Sequence, residues 1–92
     1  MAEKRQAAHY EKQLVAILED ALRRERDAQQ YYLNAAKDPS NRPETTSMFE
    51  LLAREEGVHA SIIEGRLLEN QRRVAVIDWQ GALGVDITKT AT

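Results

Sequence analysis

The chain has only two prolines, and both fall in one stretch, KDPSNRPE from Lys37 to Glu44. That single interruption constrains the fold more than any other feature. Proline lacks a backbone donor and pushes the residue before it out of helical conformation, so a helix arriving at Asp38 must stop. Ser40 and Asn41, between the prolines, are residues that cap helix starts, so the stretch reads as the end of one helix and the beginning of another. On its N-terminal side, residues 7–36 are rich in Ala, Leu, Glu, Gln and Arg without Gly or Pro. Residues 44–73 on the other side are similar apart from Gly57 and Gly65. The sequence therefore predicts helix, short loop, helix, and so short a loop makes the helices antiparallel neighbours. The expected class is all-α: an antiparallel helical hairpin over residues 1–73, followed by a C-terminal docking segment or tail over residues 74–92.

A chain of 92 residues arranged as two helices has little core of its own and gains from a partner. Its 13 basic and 15 acidic residues are interspersed, which leaves no basic face for nucleic acid. The absence of cysteine excludes disulfides, thiolate metal sites and thiol catalysis. MAEKRQAAHYEK at the start has no apolar signal core, and no apolar run approaches membrane-spanning length, so a cytoplasmic protein without membrane contact is the expectation.

Both helices place charge where burial is expected. In the first, Leu14, Leu18, Ala21, Glu25, Ala28, Tyr32 and Ala35 step by four and three in alternation, the spacing of a seam against another helix, with Glu25 at its middle. In the second, Phe49, Leu52, Glu56, His59 and Ile63 follow the same rhythm. Glu25 precedes Asp38 by as many residues as Glu56 follows Pro43, which puts both carboxylates about 20 Å from the loop. The two anomalies are level and face one core.

Ionised carboxylates are buried at several kcal/mol each, in rough terms, unless a positive charge meets them. A metal ion suits these residues. Glu56 and His59, as i and i+3, reach one cation from one helix face, and Glu25 adds an oxygen from the other helix. Three ligands are too few for a closed site. Four-helix di-iron carboxylate bundles use a Glu from each of two helices and a Glu-x-x-His from each of the others, and one chain encodes half of that set. Two copies related by symmetry complete it with four glutamates and two histidines.

ERDAQQYYLNAA (Glu25 to Ala36) and MFELLAREEGVH (Met48 to His59) together resemble the rubrerythrin and ferritin-like superfamily, whose helices read E-x-x-A-x-x-[FY]-Y-x-x-A-A and L-x-x-L-A-x-E-E-x-x-H. Members normally carry two helix pairs in one chain. A single pair resembles the half-size encapsulated ferritins, which build a ferroxidase centre between two subunits. The resemblance implies a hairpin that dimerises into a four-helix bundle, with Glu25, Glu56 and His59 as iron ligands, Glu56 bridging, and two irons per dimer. It implies a ferroxidase that oxidises Fe(II) with dioxygen for iron storage or detoxification, as a homodimer or a larger assembly of dimers. The chain departs from the family in two places. It has no rubredoxin-type cysteine cluster, and beside Glu25 it carries Arg24 and Arg26 with Asp27 where some encapsulated ferritins hold acidic residues for iron uptake.

Tyr32, seven residues after Glu25 on the same seam, is a candidate to hydrogen-bond a ligand or lend an electron, with core packing the plainer role. Tyr31 is expected at a subunit contact, Glu55 in solvent or at an interface, and His9 on the surface. Gly57 costs helix propensity inside the motif and is read as permitting close approach. Beyond residue 73, Val74, Val76, Ile77, Trp79, Leu83, Val85 and Ile87 are too apolar for a solvated tail. Gly81 and Gly84 suggest a short extra helix or strand and then an extended piece docked on another subunit. GALGVDI within this segment resembles the cargo peptides that tether ferritin-like proteins inside encapsulin shells, which implies an encapsulin partner and an encapsulin nanocompartment. Two other classes fit the same residues: a different di-metal oxidase or peroxide-scavenging protein, and a metal-free helical interaction module whose polar seam residues pair with arginines across a dimer.

Overall fold

The computed structural model describes residues 2–84, with side chains from His9 onward. Two helices form a hairpin: α1 (Ala2–Ala36) and α2 (Pro43–Leu83). A helix of 41 residues is about 61 Å long at 1.5 Å per residue, and the molecule measures 63 × 22 × 16 Å. It is one α2 long and a single layer of helices thick.

The loop is built much as its prolines require. Asp38 N–H donates to Ala35 O and Asn41 N–H to Asp38 O, while Ser40 donates to Asp38 Oδ1 from both its backbone N–H and its hydroxyl. Pro43 begins α2, where a missing donor is harmless. Capping differs from expectation. Arg42 is the residue before α2 and supplies no side-chain cap, whereas the Asn41 side-chain amide donates back to Ala35 O at 2.7 Å. Asn41 thus gives the Ala35 carbonyl, at the end of α1, a second donor beside the Asp38 N–H.

Two boundaries lie outside their expected places. α1 begins at Ala2 rather than near residue 7. α2 does not stop near Arg73: it continues through Gly81 to Leu83, so residues 74–83 prolong the hairpin instead of forming a separate helix or strand. Val74 and Ile77 are half-buried, which gives this extension an apolar edge against α1. The helix closes at Gly84, whose φ of 67° gives the left-handed turn that returns an N–H to the last carbonyls. The expected docking of residues 85–92, with Val85 and Ile87, lies outside the described residues.

Two packed helices in one layer enclose little. Among the described residues the buried apolar side chains are Ala53, Ala60 and Leu67, with Asn70 as a buried polar companion. Ala53, Ala60 and Leu67 are spaced by seven, with Glu56, Ile63, Asn70, Val74 and Ile77 filling the three-and-four rhythm between and beyond them. Glu56 and Ile63 keep their expected places on the seam of α2 against α1, while Ala53 and Ala60 take the deepest positions beside Leu52 and His59. Alanines, not His59, occupy the line of closest contact, because only small side chains fit where two helix backbones approach.

The two broad faces of the layer differ in character. Lys12 pairs with Asp78 at 3.3 Å and Arg26 with Glu64, both across the helices. Lys12 and Arg26 lie two heptads apart on α1, as do Glu64 and Asp78 on α2, so these pairs share one face. Helical phase assigns Tyr10, Leu14, Ile17 and Tyr31 of α1 to the opposite face, with Met48 and His59 of α2. Those five apolar side chains are all exposed. A sheet of helices apolar on one side has an open layer to fill.

Candidate metal centre

Glu25, Glu56 and His59 meet in space. A carboxylate oxygen of each glutamate and a ring nitrogen of the histidine all lie within 4.8 Å of one another. The antiparallel pairing puts the middle of α1 beside the first third of α2, and the i,i+3 spacing then turns Glu56 and His59 to the same side. His59 Nδ1 is 3.7 Å from Glu25 Oε2 and 3.7 Å from Glu56 Oε2. These separations are too long for hydrogen bonds. They suit donors around a common ion: two atoms each about 2.1 Å from one metal are at most about 4.2 Å apart.

Burial grades across the cluster. The side chains of Glu56 and Glu25 are 21% and 29% exposed, and that of His59 is 55% exposed. The glutamates sit at the edge of the helix contact, and the imidazole stands on the apolar face beyond it. That position corrects the expectation that His59 lies on the seam against α1. The donor set opens outward, toward whatever covers that face.

The arginines beside Glu25 leave it unpaired. Arg24 reaches back to Asp20 at 2.9 Å, and Arg26 crosses to Glu64 on the other face. Glu25 and Glu56 pair with no lysine or arginine among the described residues, and His59 is their neighbour. A pair of carboxylates and an imidazole, all turned to one point and without arginine, is a fitting donor set for a hard or borderline divalent ion. The chemistry of the residues therefore fits iron.

The remaining candidates fall around this cluster. Tyr32 is half-buried, stacks on Phe49 at 6.4 Å between ring centroids and meets Tyr31 edge-on at 5.7 Å. These contacts are a packing role, tying α1 to α2 near the loop. Tyr31 is exposed on the apolar face, Glu55 is exposed, and His9 lies on the surface beside Tyr10. A Cβ on Gly57 would stand 2.7 Å from Gln29 Nε2, so the glycine beside Glu56 makes room for the Gln29 amide. Sequence reading had singled out Gly57 but not Gln29, since nothing in the spacing shows which α1 side chain crosses there.

The Glu, Glu and His cluster of this hairpin is the donor set that each half of a four-helix di-iron carboxylate bundle contributes. The family model of rubrerythrin matches residues 16–77, a span that holds the facing parts of both helices and all three cluster residues. The chain belongs to the rubrerythrin family, within the ferritin-like proteins whose members typically bind iron. No curated protein and no solved structure matches it. Among the described residues no helix is long and apolar enough to cross a membrane.

Proposed function

We propose that the protein is a ferroxidase whose di-iron site forms between two copies of the chain. The observation that carries this reading is the Glu25, Glu56 and His59 cluster, with donor atoms within 4.8 Å, standing without arginine partners at the edge of an exposed apolar face. Packing that face on its two-fold mate brings together four carboxylates and two imidazoles and covers Tyr10, Leu14, Ile17, Tyr31 and Met48. Four carboxylate charges balance two ferrous ions, so the covered centre is neutral only when loaded.

Fe(II) is the substrate at this centre. Each of two ferrous ions gives up one electron, dioxygen takes the pair, and oxygen ligands favour the ferric product. Glu25 and Glu56 hold the ions and His59 closes the set from the rim, with Glu56 between the two metals. Tyr32 supports α1 through Phe49, with electron donation as its further candidate role. A molecule one helix layer thick cannot enclose a mineral, so ferric iron passes to a surrounding store, for which an encapsulin shell in the cytoplasm is the proposed partner.

Anaerobic loading followed by exposure to air tests the reading. The expected result is two irons per dimer and Fe(II) oxidation faster than in buffer. Protein that binds no iron, or binds it without accelerating oxidation, overturns the ferroxidase assignment.

A further inference from the structure

Glu11 and Asn70 stand across the seam from each other in the register that the metal cluster already shows. Tyr32 meets Phe49 and Glu25 meets Glu56 one heptad apart on each helix. The same register continues toward the open end of the hairpin. Arg26 with Glu64 and Lys12 with Asp78 are two heptads apart on both helices, so the helices do not slip between those levels. Two heptads before Glu25 stands Glu11, and two heptads after Glu56 stands Asn70. That distance is about 21 Å of helix, which separates this level from the metal centre. Arg73 takes the place of His59 here, and its guanidinium turns to Glu69 at 2.9 Å.

Two oxygens at this level are buried without a donor. Asn70 is 7% exposed; its amide nitrogen donates to Arg66 O at 2.8 Å, while its Oδ1 is unpartnered, as is the buried Oε2 of Glu11. A carboxylate and an amide carbonyl are both acceptors, so neither satisfies the other. Glu11 lines a cleft together with Glu69, Arg72 and Arg73, yet among the described residues neither arginine forms an ion pair with it. A bridging water could donate to both oxygens, but the carboxylate charge would stay unmatched. A cation meets both needs. Oxygen donors from two carboxylates and one amide, with no nitrogen or sulfur among them, suit a hard ion.

We propose that Glu11, Asn70 and Glu69 form a second cation site, for a hard divalent ion of the calcium class, that clamps the open end of the hairpin. Glu11 binds from α1, Asn70 and Glu69 bind from α2, and water completes the shell. The two carboxylates match the charge of the ion. Three protein ligands with two arginines at the rim make a weak site, with a Kd of about 10⁻⁴ to 10⁻³ M, the weak end of calcium binding. The site does not rest on the ferroxidase reading.

Thermal melting of the full chain in chelator and in Ca(II) at about 10 mM, above the expected Kd, tests the site. Ca(II) is expected to raise the melting temperature of the wild type and of Glu56→Ala, in which this site is intact, and to leave Glu11→Gln and Asn70→Leu unmoved. Glu11→Gln keeps the shape of the side chain and removes its charge, so it should fold and bind Co(II) at the Glu25 cluster as the wild type does. The side-chain amide resonance of Asn70, identified by its loss in Asn70→Leu, gives a readout independent of stability. It should shift with Ca(II) in Glu56→Ala and stay fixed in Glu11→Gln. A wild type that responds in neither measurement, as a bridging water would give, overturns the site, and so does a full response in Glu11→Gln. A response lost in Glu56→Ala but kept in Glu11→Gln assigns the ion to the Glu25 cluster and likewise overturns it. Failure to oxidise Fe(II) bears only on the ferroxidase reading.

Discussion

Arg26 pairs with Glu64 across the hairpin rather than with Glu25, its neighbour in sequence. Successive residues on a helix point about 100° apart, so the guanidinium goes to the polar face while the Glu25 carboxylate stays at the seam edge beside Glu56 and His59. The guanidinium nearest in sequence is occupied elsewhere.

Glu25→Ala, Glu56→Ala and His59→Ala should each lower metal affinity and Fe(II) oxidation by at least about tenfold, the scale on which even supporting residues of metal sites act. Glu55→Ala should leave both unchanged, since its side chain is exposed and away from the cluster. Co(II) titration and an aerobic oxidation assay read the two quantities. Full oxidation by Glu56→Ala would sink the ligand assignment.

Metal should strengthen association at the Glu25 face. Four carboxylates brought together without cations repel, and a binding partner specific to the associated state favours that state. Sedimentation at low protein concentration should show lighter species in chelator than in Fe(II) or Co(II), with the difference absent in Glu56→Ala and reduced in Glu56→Gln. Identical profiles in chelator and metal would refute the linkage.

Asn70 is 7% exposed. Its amide donates to Arg66 O at 2.8 Å, but its Oδ1 is buried without a partner. An unmet buried acceptor is destabilising, so Asn70→Leu, which keeps the branched shape without the polar atoms, should raise stability by about 1 kcal/mol. Urea unfolding at fixed protein concentration should show a higher midpoint with unchanged slope. A lower midpoint would mean that the oxygen finds a partner in the assembly.

The loop should confer a pH dependence through Asp38. The Ser40 N–H and hydroxyl donate to its carboxylate at 2.9 and 2.8 Å and hold its pKa below the ordinary 3.8. A depressed folded-state value stabilises the fold above the unfolded pKa, and the contribution is lost as pH falls through the folded value. Asp38→Ala should therefore melt at lower temperature than the parent at pH 7, with the gap narrowing below pH 4. Thermal melts across that range would show a constant gap if the carboxylate charge were irrelevant.

Much of the fold was legible in the chain because it rests on local chemistry. Pro39 and Pro43 stop one helix and start another wherever they stand, and a short loop leaves two long helices no arrangement but antiparallel. The level placement of Glu25 and Glu56 follows from helical rise alone, and Glu56 with His59 from helical phase. The sequence by itself thus determined the hairpin, its turn and the meeting of three donor residues. Only the tertiary structure decided which positions lie against the neighbouring helix. Ala53 and Ala60 take the closest contact because backbone approach selects for small volume, and that choice turns His59 outward to the open face. It likewise decided that Arg26 meets Glu64, that Gln29 lies over Gly57, and that α2 runs on past Arg73 because Val74 and Ile77 find α1 to pack against. Those outcomes depend on distances between segments far apart in sequence, which periodicity along one helix does not contain.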